Sequence, residues 1–119
     1  MQDYKKLMVW QKAHALSLLI YKVTESFPKH ELYGLVSQIR RAVVSIATNI
    51  AEGSGRNSNL DFSRFLQIAY GSASEVEYLI ILSSELNYIS IDRANKMNED
   101  IQEIKKMLNS LLKKLRTEN

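Results

Sequence analysis

The chain has 119 residues, 45% apolar and 24% charged, with 16 Lys and Arg against 13 Asp and Glu for a formal charge of +3. That length fits one domain able to bury its own core, and the absence of cysteine excludes a disulfide framework, a thiolate metal site and a cysteine nucleophile. Two histidines, His14 and His30, are too few for a histidine-rich metal site, no apolar run approaches a membrane span of ~18 residues, and the opening MQDYKKLMVW lacks the apolar core of a secretory signal. The expectation is a soluble cytoplasmic protein that needs no cofactor and no metal.

One proline and four glycines are sparse punctuation, which favours helices over strands. A first helix is predicted over about 7–26, where Val9, Ala13, Leu16, Ile20, Val23 and Phe27 recur at helical spacing. Pro28 stops it, and residues 28–34 read as a connection. A second helix covers about 35–52 on the seam Val36, Ile39, Val43, Ile46 and Ile50. Gly53-Ser54-Gly55 ends it, with Gly53 expected as a left-handed cap. Ser58 is a good N-cap for a third helix over about 59–86, and Asp61 suits its first turn. Its seam is Phe62, Leu66, Ala69, Ala73, Val76 and Ile80. After a turn at 87–90, Ser90 caps a fourth helix over about 91–116. Ala94, Met97, Ile101, Ile104, Leu108, Leu111 and Leu115 form its heptad, and Lys113, Lys114 and Arg116 sit at its C-terminus. Four helices with short connections predict one all-α domain over 1–119, an antiparallel up-down-up-down four-helix bundle.

Two helices carry more apolar surface than one seam requires. Leu79, Ile80, Ile81 and Leu82 are consecutive, and Phe65, Ile68, Leu79, Leu82 and Leu86 make a second stripe. The surplus is either a wide core face or a subunit interface. A similar excess through Ala42-Val43-Val44 and Ile46-Ala47 favours the interface. The small run Gly71-Ser72-Ala73-Ser74 either suits close approach by another backbone or is a tolerated glycine that leaves a slight bend. Gln38, Arg41, Ser45, Asn49 and Glu52 form a polar line beside the second seam. That line is either a solvated face or a hydrogen-bonded network between helices or subunits.

Catalytic patterns are missing. No Glu-x-x-His pair supports a di-iron bundle site. His14 reads as a partly buried polar contact and His30 as a surface residue. Gly53-Ser54-Gly55-Arg56 follows a predicted helix and has no Gly-Lys-Ser/Thr ending, so it reads as a turn and not a phosphate loop. The chain reads as a non-enzyme. Its charge is uneven: residues 1–60 hold eight cations against four anions, and 61–119 hold eight against nine. Arg40 and Arg41 are adjacent, and Arg56 and Arg64 flank the glycine turn. Clustered cations either hold a phosphate backbone or are ordinary solvated helix surface; for one chain at +3 the solvated surface is favoured, and no reading-helix, zinc-finger or RNA-binding-sheet signature is present.

Longer motifs carry a resemblance. They begin with Leu7-x-Val9-Trp10-Gln11-Lys12-Ala13, Phe27-Pro28 and Glu31-x-Tyr33-Gly34-Leu35. Gln38-Ile39-Arg40-Arg41-Ala42, Ser45-Ile46 and Asn49-Ile50-Ala51-Glu52-Gly53-x-Gly55-Arg56 follow, then Phe62-x-x-Phe65-Leu66-x-Ile68-Ala69 and Gly71-Ser72-x-Ser74-Glu75-x-Glu77. Together they resemble the four-helix-bundle proteins of 23S ribosomal RNA intervening sequences, and are similar to the accessory variability proteins of diversity-generating retroelements. The resemblance spans about 7–86. Ala47 stands where a proline is common in that pattern, which predicts an unkinked second helix. The resemblance implies a homopentameric ring with a basic surface and no catalytic residue. For the retroelement branch it implies binding to nucleic acid and to a reverse transcriptase. With the clustered cations, it makes Lys12, Arg40, Arg41, Arg56 and Arg64 candidate phosphate contacts. Gln38, Arg41, Ser45, Asn49, Glu52, Leu79, Ile81 and Leu82 are candidates for an interface or polar network. The alternative is a scaffold for a protein partner, suggested by the acidic stretch between Glu75 and Glu103.

Overall fold

A computed structural model describes residues 3–117. Four helices carry the fold: α1 (Met8–Thr24), α2 (Ser37–Ser54), α3 (Asn59–Glu85) and α4 (Ile91–Thr117). No strand occurs among the described residues. α2 packs most extensively on α3, α3 on α4 and α1 on α2, and α1 also meets α4. The molecule measures 47 × 23 × 20 Å, its long dimension being close to the ~40 Å that 27 helical residues span. The seams expected from the sequence meet in the middle. Ile46, Ile50, Leu66, Ile80, Ile101, Ile104 and Leu108 are wholly buried. Leu111 alone of the α4 seam is only partly buried. Four hydroxyl side chains are buried with this core, and each is bonded: Ser17 to the Ala13 carbonyl, Thr24 to Ile20, Ser54 to Ala51 and Ser83 to Leu79. Their hydrogen-bonding needs are met inside their own helices.

The helix ends are where the structure refines the sequence reading. Ser58 and Ser90 cap α3 and α4 as expected, accepting from the amides of Asp61 at 3.1 Å and Arg93 at 3.2 Å. Gly53 is not a left-handed cap. α2 continues through Ser54, no glycine has positive φ, and Gly53 is buried. Its role is close approach: a Cβ there would lie 2.7 Å from Phe65 Cβ and 2.9 Å from Phe62 Cδ1. The left-handed residue is Asn87, at φ 64°. It closes α3 with paired bonds from the amide of Asn87 to the Ser84 carbonyl and from that of Tyr88 to Ser83, a Schellman arrangement. The stretch read as a simple connection is also more ordered than expected. Lys29–Glu31 is a 3-10 turn, and Leu32–Val36 is a π-helical turn leading straight into α2. Glu31 holds that turn by accepting from the Leu35 amide at 3.2 Å and from the Tyr88 hydroxyl at 2.9 Å. Tyr88 in turn packs on Phe27, so the α1–α2 and α3–α4 connections are tied together.

Candidate nucleic-acid interface

The five cations singled out from the sequence fall in separate places. Lys12, on the first turns of α1, pairs with Glu103 of α4. That hydrogen bond raises the lysine pKa and lowers that of the carboxyl. Arg40 is half-buried and faces inward along α1. Its Nε donates to Thr24 Oγ1 at 3.0 Å, its Nη2 donates to the Tyr21 carbonyl at 3.2 Å, and its guanidinium lies 4.5 Å from the centre of the Tyr21 ring. Arg40 therefore adds a donor to the Tyr21 carbonyl and to the Thr24 hydroxyl at the end of α1 and is a structural tie. Its neighbour Arg41 is exposed, with neither an ion pair nor a hydrogen bond among the described residues.

Arg56 and Arg64 lie at the other end of α2, about 22 Å along the helix from Arg41 at the usual rise. Arg56 sits 4.7 Å over the Phe65 ring, and Arg64 makes an exposed contact with Asp61 at 3.4 Å. The fold adds cations there that the sequence reading left in the α4 tail. Lys113 and Arg116 line a groove with Ser63 and Gln67 of α3, of about 320 Å³. Lys114 occupies the same last turns of α4. Glu52 and Asp61 are the carboxylates nearest in sequence to Arg56 and Arg64. This end of the molecule thus carries Lys113 and Arg116 in one groove, with Arg56 and Arg64 flanking the start of α3 that forms its other wall. They come from segments some fifty residues apart, so no local motif could reveal them. The only signal was the set of cations Lys113, Lys114 and Arg116 at the C-terminus of the fourth helix.

The polar line on α2 is partly a network. Ser45 Oγ and Ser72 Oγ are 2.8 Å apart across α2 and α3, and Asn49 Nδ2 donates to the Ser45 carbonyl at 2.8 Å and to its Oγ at 3.0 Å. Gln38 Nε2 donates to Glu75 Oε2 at 3.4 Å. Arg41 and Glu52 make no such link among the described residues. A polar groove of about 560 Å³ lies here, lined by Tyr33, Gly34, Ser37, Gln38, Arg41, Ala42, Ser45, Ser72 and Glu75.

The three apolar interface candidates separate as well. Leu79 is 2% exposed and belongs to the core of its own chain, which corrects its assignment to an outer face. Leu82 packs partly against that core, and only Ile81, at 42%, is exposed. Much of the surplus apolar surface on α3 is thus a wide core face. What remains outside includes Leu60, Ile68, Tyr78 and Ile81, with nothing within 4 Å of a Cβ placed on Gly71. On α1 and α2 an apolar groove of about 550 Å³ is lined by Trp10, Leu18, Tyr21, Val44 and Ala47 among others. His14 lines it too. It is exposed and stacked flat on Trp10 at 4.9 Å, not partly buried as expected. Among the described residues no cluster of three or more His, Cys, Asp or Glu could hold a metal ion, and no helix is long and apolar enough to cross a membrane.

Fold and surface together define a small all-α protein of four helices whose outside carries polar grooves and dispersed cations. The family model of the 23S rRNA-intervening sequence protein matches residues 5–110, and the chain belongs to that family. It is similar to a crystal structure, at 1.70 Å resolution, of a protein of unknown function from the S23 ribosomal protein family of Bacteroides thetaiotaomicron VPI-5482. The two share 30% identity over 88% of this chain and 95% of the other, with a TM-score of 0.82. No curated protein matches the chain.

Proposed function

We propose that this chain is a non-enzymatic, cytoplasmic nucleic-acid-binding accessory protein, an up-down-up-down bundle that works as a homopentameric ring, akin to the accessory variability proteins of diversity-generating retroelements. The observation that carries the binding is the placement of Lys113 and Arg116 in one groove with the start of α3, which Arg56 and Arg64 flank. Cations at one end of a molecule suit phosphate contacts, which give affinity without sequence reading. Pairings that run in opposite senses support the topology: Ser17 with Val43 and Thr24 with Arg40 for α1 and α2, Ser45 with Ser72 and Gly53 with Phe65 for α2 and α3, and Glu77 with Lys105 and the Ser63 level with the Lys113–Arg116 level for α3 and α4. The apolar groove between α1 and α2 and the exposed apolar residues of α3 support assembly, because a second copy laid on them would remove their apolar surface from water. Repetition around an axis would multiply each basic end.

Titration of short RNA and DNA duplexes against salt tests the binding. Removing the four cations together should lower affinity strongly and flatten the salt dependence by several contacts, each worth about 0.9 in log–log slope. A wild-type chain that binds neither duplex at low salt overturns the reading. Light scattering tests the ring, and a mass of 13.7 kDa, that of one chain, refutes it.

The same α1–α2 groove favours a second reading, a scaffold that holds a protein partner such as a reverse transcriptase. The acidic stretch supports it less, since Glu77 is bonded to Lys105 and Gln102, and Glu103 to Lys12. Capture of one defined protein that survives nuclease treatment would establish this role.

A further inference from the structure

We infer that the polar groove between the π-helical turn and α2–α3 is a pocket for a single unpaired nucleotide, separate from the basic end. The inference rests on the nucleic-acid reading above and gives it a second, chemically distinct site. Its first component is Tyr33. The π-helical turn at Leu32–Val36 leaves this ring 93% exposed at the rim of the groove. Gly34 stands in this turn with non-helical φ and ψ of −109°, and a Cβ there would lie 2.9 Å from Glu31 Oε1 and press on the carboxylate that braces the turn. An exposed tyrosine held on a braced turn is a stacking platform, and every base offers a π face to it. The second component is Arg41. It lines the groove and makes no ion pair with Glu75, which lines it too. Among the cations first singled out it alone has neither an ion pair, a hydrogen bond nor an aromatic contact. Its planar fork fits a phosphate.

The third component is the wall. Gln38 and Glu75 are joined only by a long 3.4 Å bond, so both keep hydrogen-bonding capacity toward a ligand. A carboxylate there accepts from an exocyclic amino group, as on cytosine. The groove's volume, about 560 Å³, is within the usual range for a small-molecule site. Ring platform, guanidinium and acceptor wall together complement a base with its phosphate. A paired base cannot use them, since its faces and edge are already occupied.

The test uses the full chain with a 12-nucleotide single-stranded oligocytidylate, its deoxy counterpart and an RNA duplex of the same length, read by fluorescence anisotropy at low salt. Tyr33→Ala should weaken single-strand binding by about tenfold, and Tyr33→Phe should not. Duplex affinity should stay within about twofold for both variants, because phosphate contacts alone position a duplex. Arg41→Gln should weaken single-strand binding and reduce its salt slope by about one contact. Ribo- and deoxy-strands should respond alike, since no group is assigned to the 2′-hydroxyl. Equal losses for single strand and duplex, or no loss on Tyr33→Ala, overturn the pocket and leave the basic end standing. Absence of all binding overturns both.

Discussion

Replacing glycine by alanine at two helical positions should shift stability in opposite directions. At Gly53 the new methyl lies 2.7 Å from Phe65 Cβ and 2.9 Å from Phe62 Cδ1. Phe65 Cβ is one bond from the α3 backbone, so relief requires α2 and α3 to separate. Overpacking of this kind costs about 1–3 kcal/mol. Alanine's better helix propensity returns at most ~1 kcal/mol, and less near a helix end. The net expectation for Gly53→Ala is a loss of about 1–2 kcal/mol. At Gly71, in the middle of α3, nothing lies within 4 Å of the added carbon. Only the propensity gain and the reduced freedom of the unfolded chain remain, so Gly71→Ala should gain up to ~1 kcal/mol. Urea unfolding followed by circular dichroism, at one fixed protein concentration, measures both against the wild type. In a thermal scan each kcal/mol should appear as about 3–6 °C. A Gly53→Ala variant as stable as the wild type would refute the close-approach argument. A Gly71→Ala variant that loses stability would mean that a second copy lies against α3 there, and light scattering would show the assembly weakened.

Three further outcomes follow from the geometry. Arg40→Met removes two hydrogen bonds and the Tyr21 stacking, so it should lower unfolding stability by about 1–2 kcal/mol while leaving oligonucleotide affinity unchanged; a selective loss of affinity would return Arg40 to the phosphate contacts. Glu31 is held below its ordinary pKa by the Tyr88 hydroxyl and then the Leu35 amide, so its stabilisation is present above the unfolded carboxyl's pKa and is lost as pH falls through the depressed folded value. Tyr88→Phe should therefore flatten the acid limb of the stability profile below about pH 4, and a limb identical to the wild type's would refute the clamp. Ile80→Ala should cost about 2–5 kcal/mol because Ile80 is wholly buried. Ile81→Ala, at a site 42% exposed, should change chain stability by no more than about 1 kcal/mol, and any larger effect should appear in the assembled mass.

The helices were legible because each carries an unbroken apolar seam, and Ser58 and Ser90 sit where caps should. What escaped was tertiary in origin. Gly53 is glycine because two phenylalanines of the next helix lie against it, and nothing local separates that demand from a left-handed cap. Asn87 takes the left-handed role because α3 ends at Glu85 with Leu86 as its C-cap, and Tyr88 must turn back toward Phe27. The π-helical turn after Pro28 depends on Glu31 reaching both Leu35 and Tyr88, the latter 57 residues away. Leu79 looked like one residue too many for a single seam. α3 packs against both α2 and α4, and a helix with two neighbours needs a wider apolar arc.

The candidate sites show why adjacency in sequence misleads about charge. Arg40 and Arg41 are consecutive, about 100° apart around a helix, and that rotation separates their chemistry. One guanidinium turns toward the end of α1 and meets two acceptors and a ring, whereas the other turns into an open groove and meets none. Conversely, Arg64 and Arg116 are far apart in the chain, yet their helices meet in one groove wall because α3 starts where α4 ends. A cation's availability depends on whether an inward-facing acceptor lies within reach, and the formal charge of +3 contains no information about that. Counting only cations without a carboxylate or carbonyl partner leaves Arg41 in the polar groove and Arg56 stacked on Phe65 as the accessible positive groups among those first singled out. These two lie at opposite ends of α2. A ligand that bridges them must follow the helix, whereas two short ligands would bind independently, so the dependence of affinity on oligonucleotide length separates one continuous site from two.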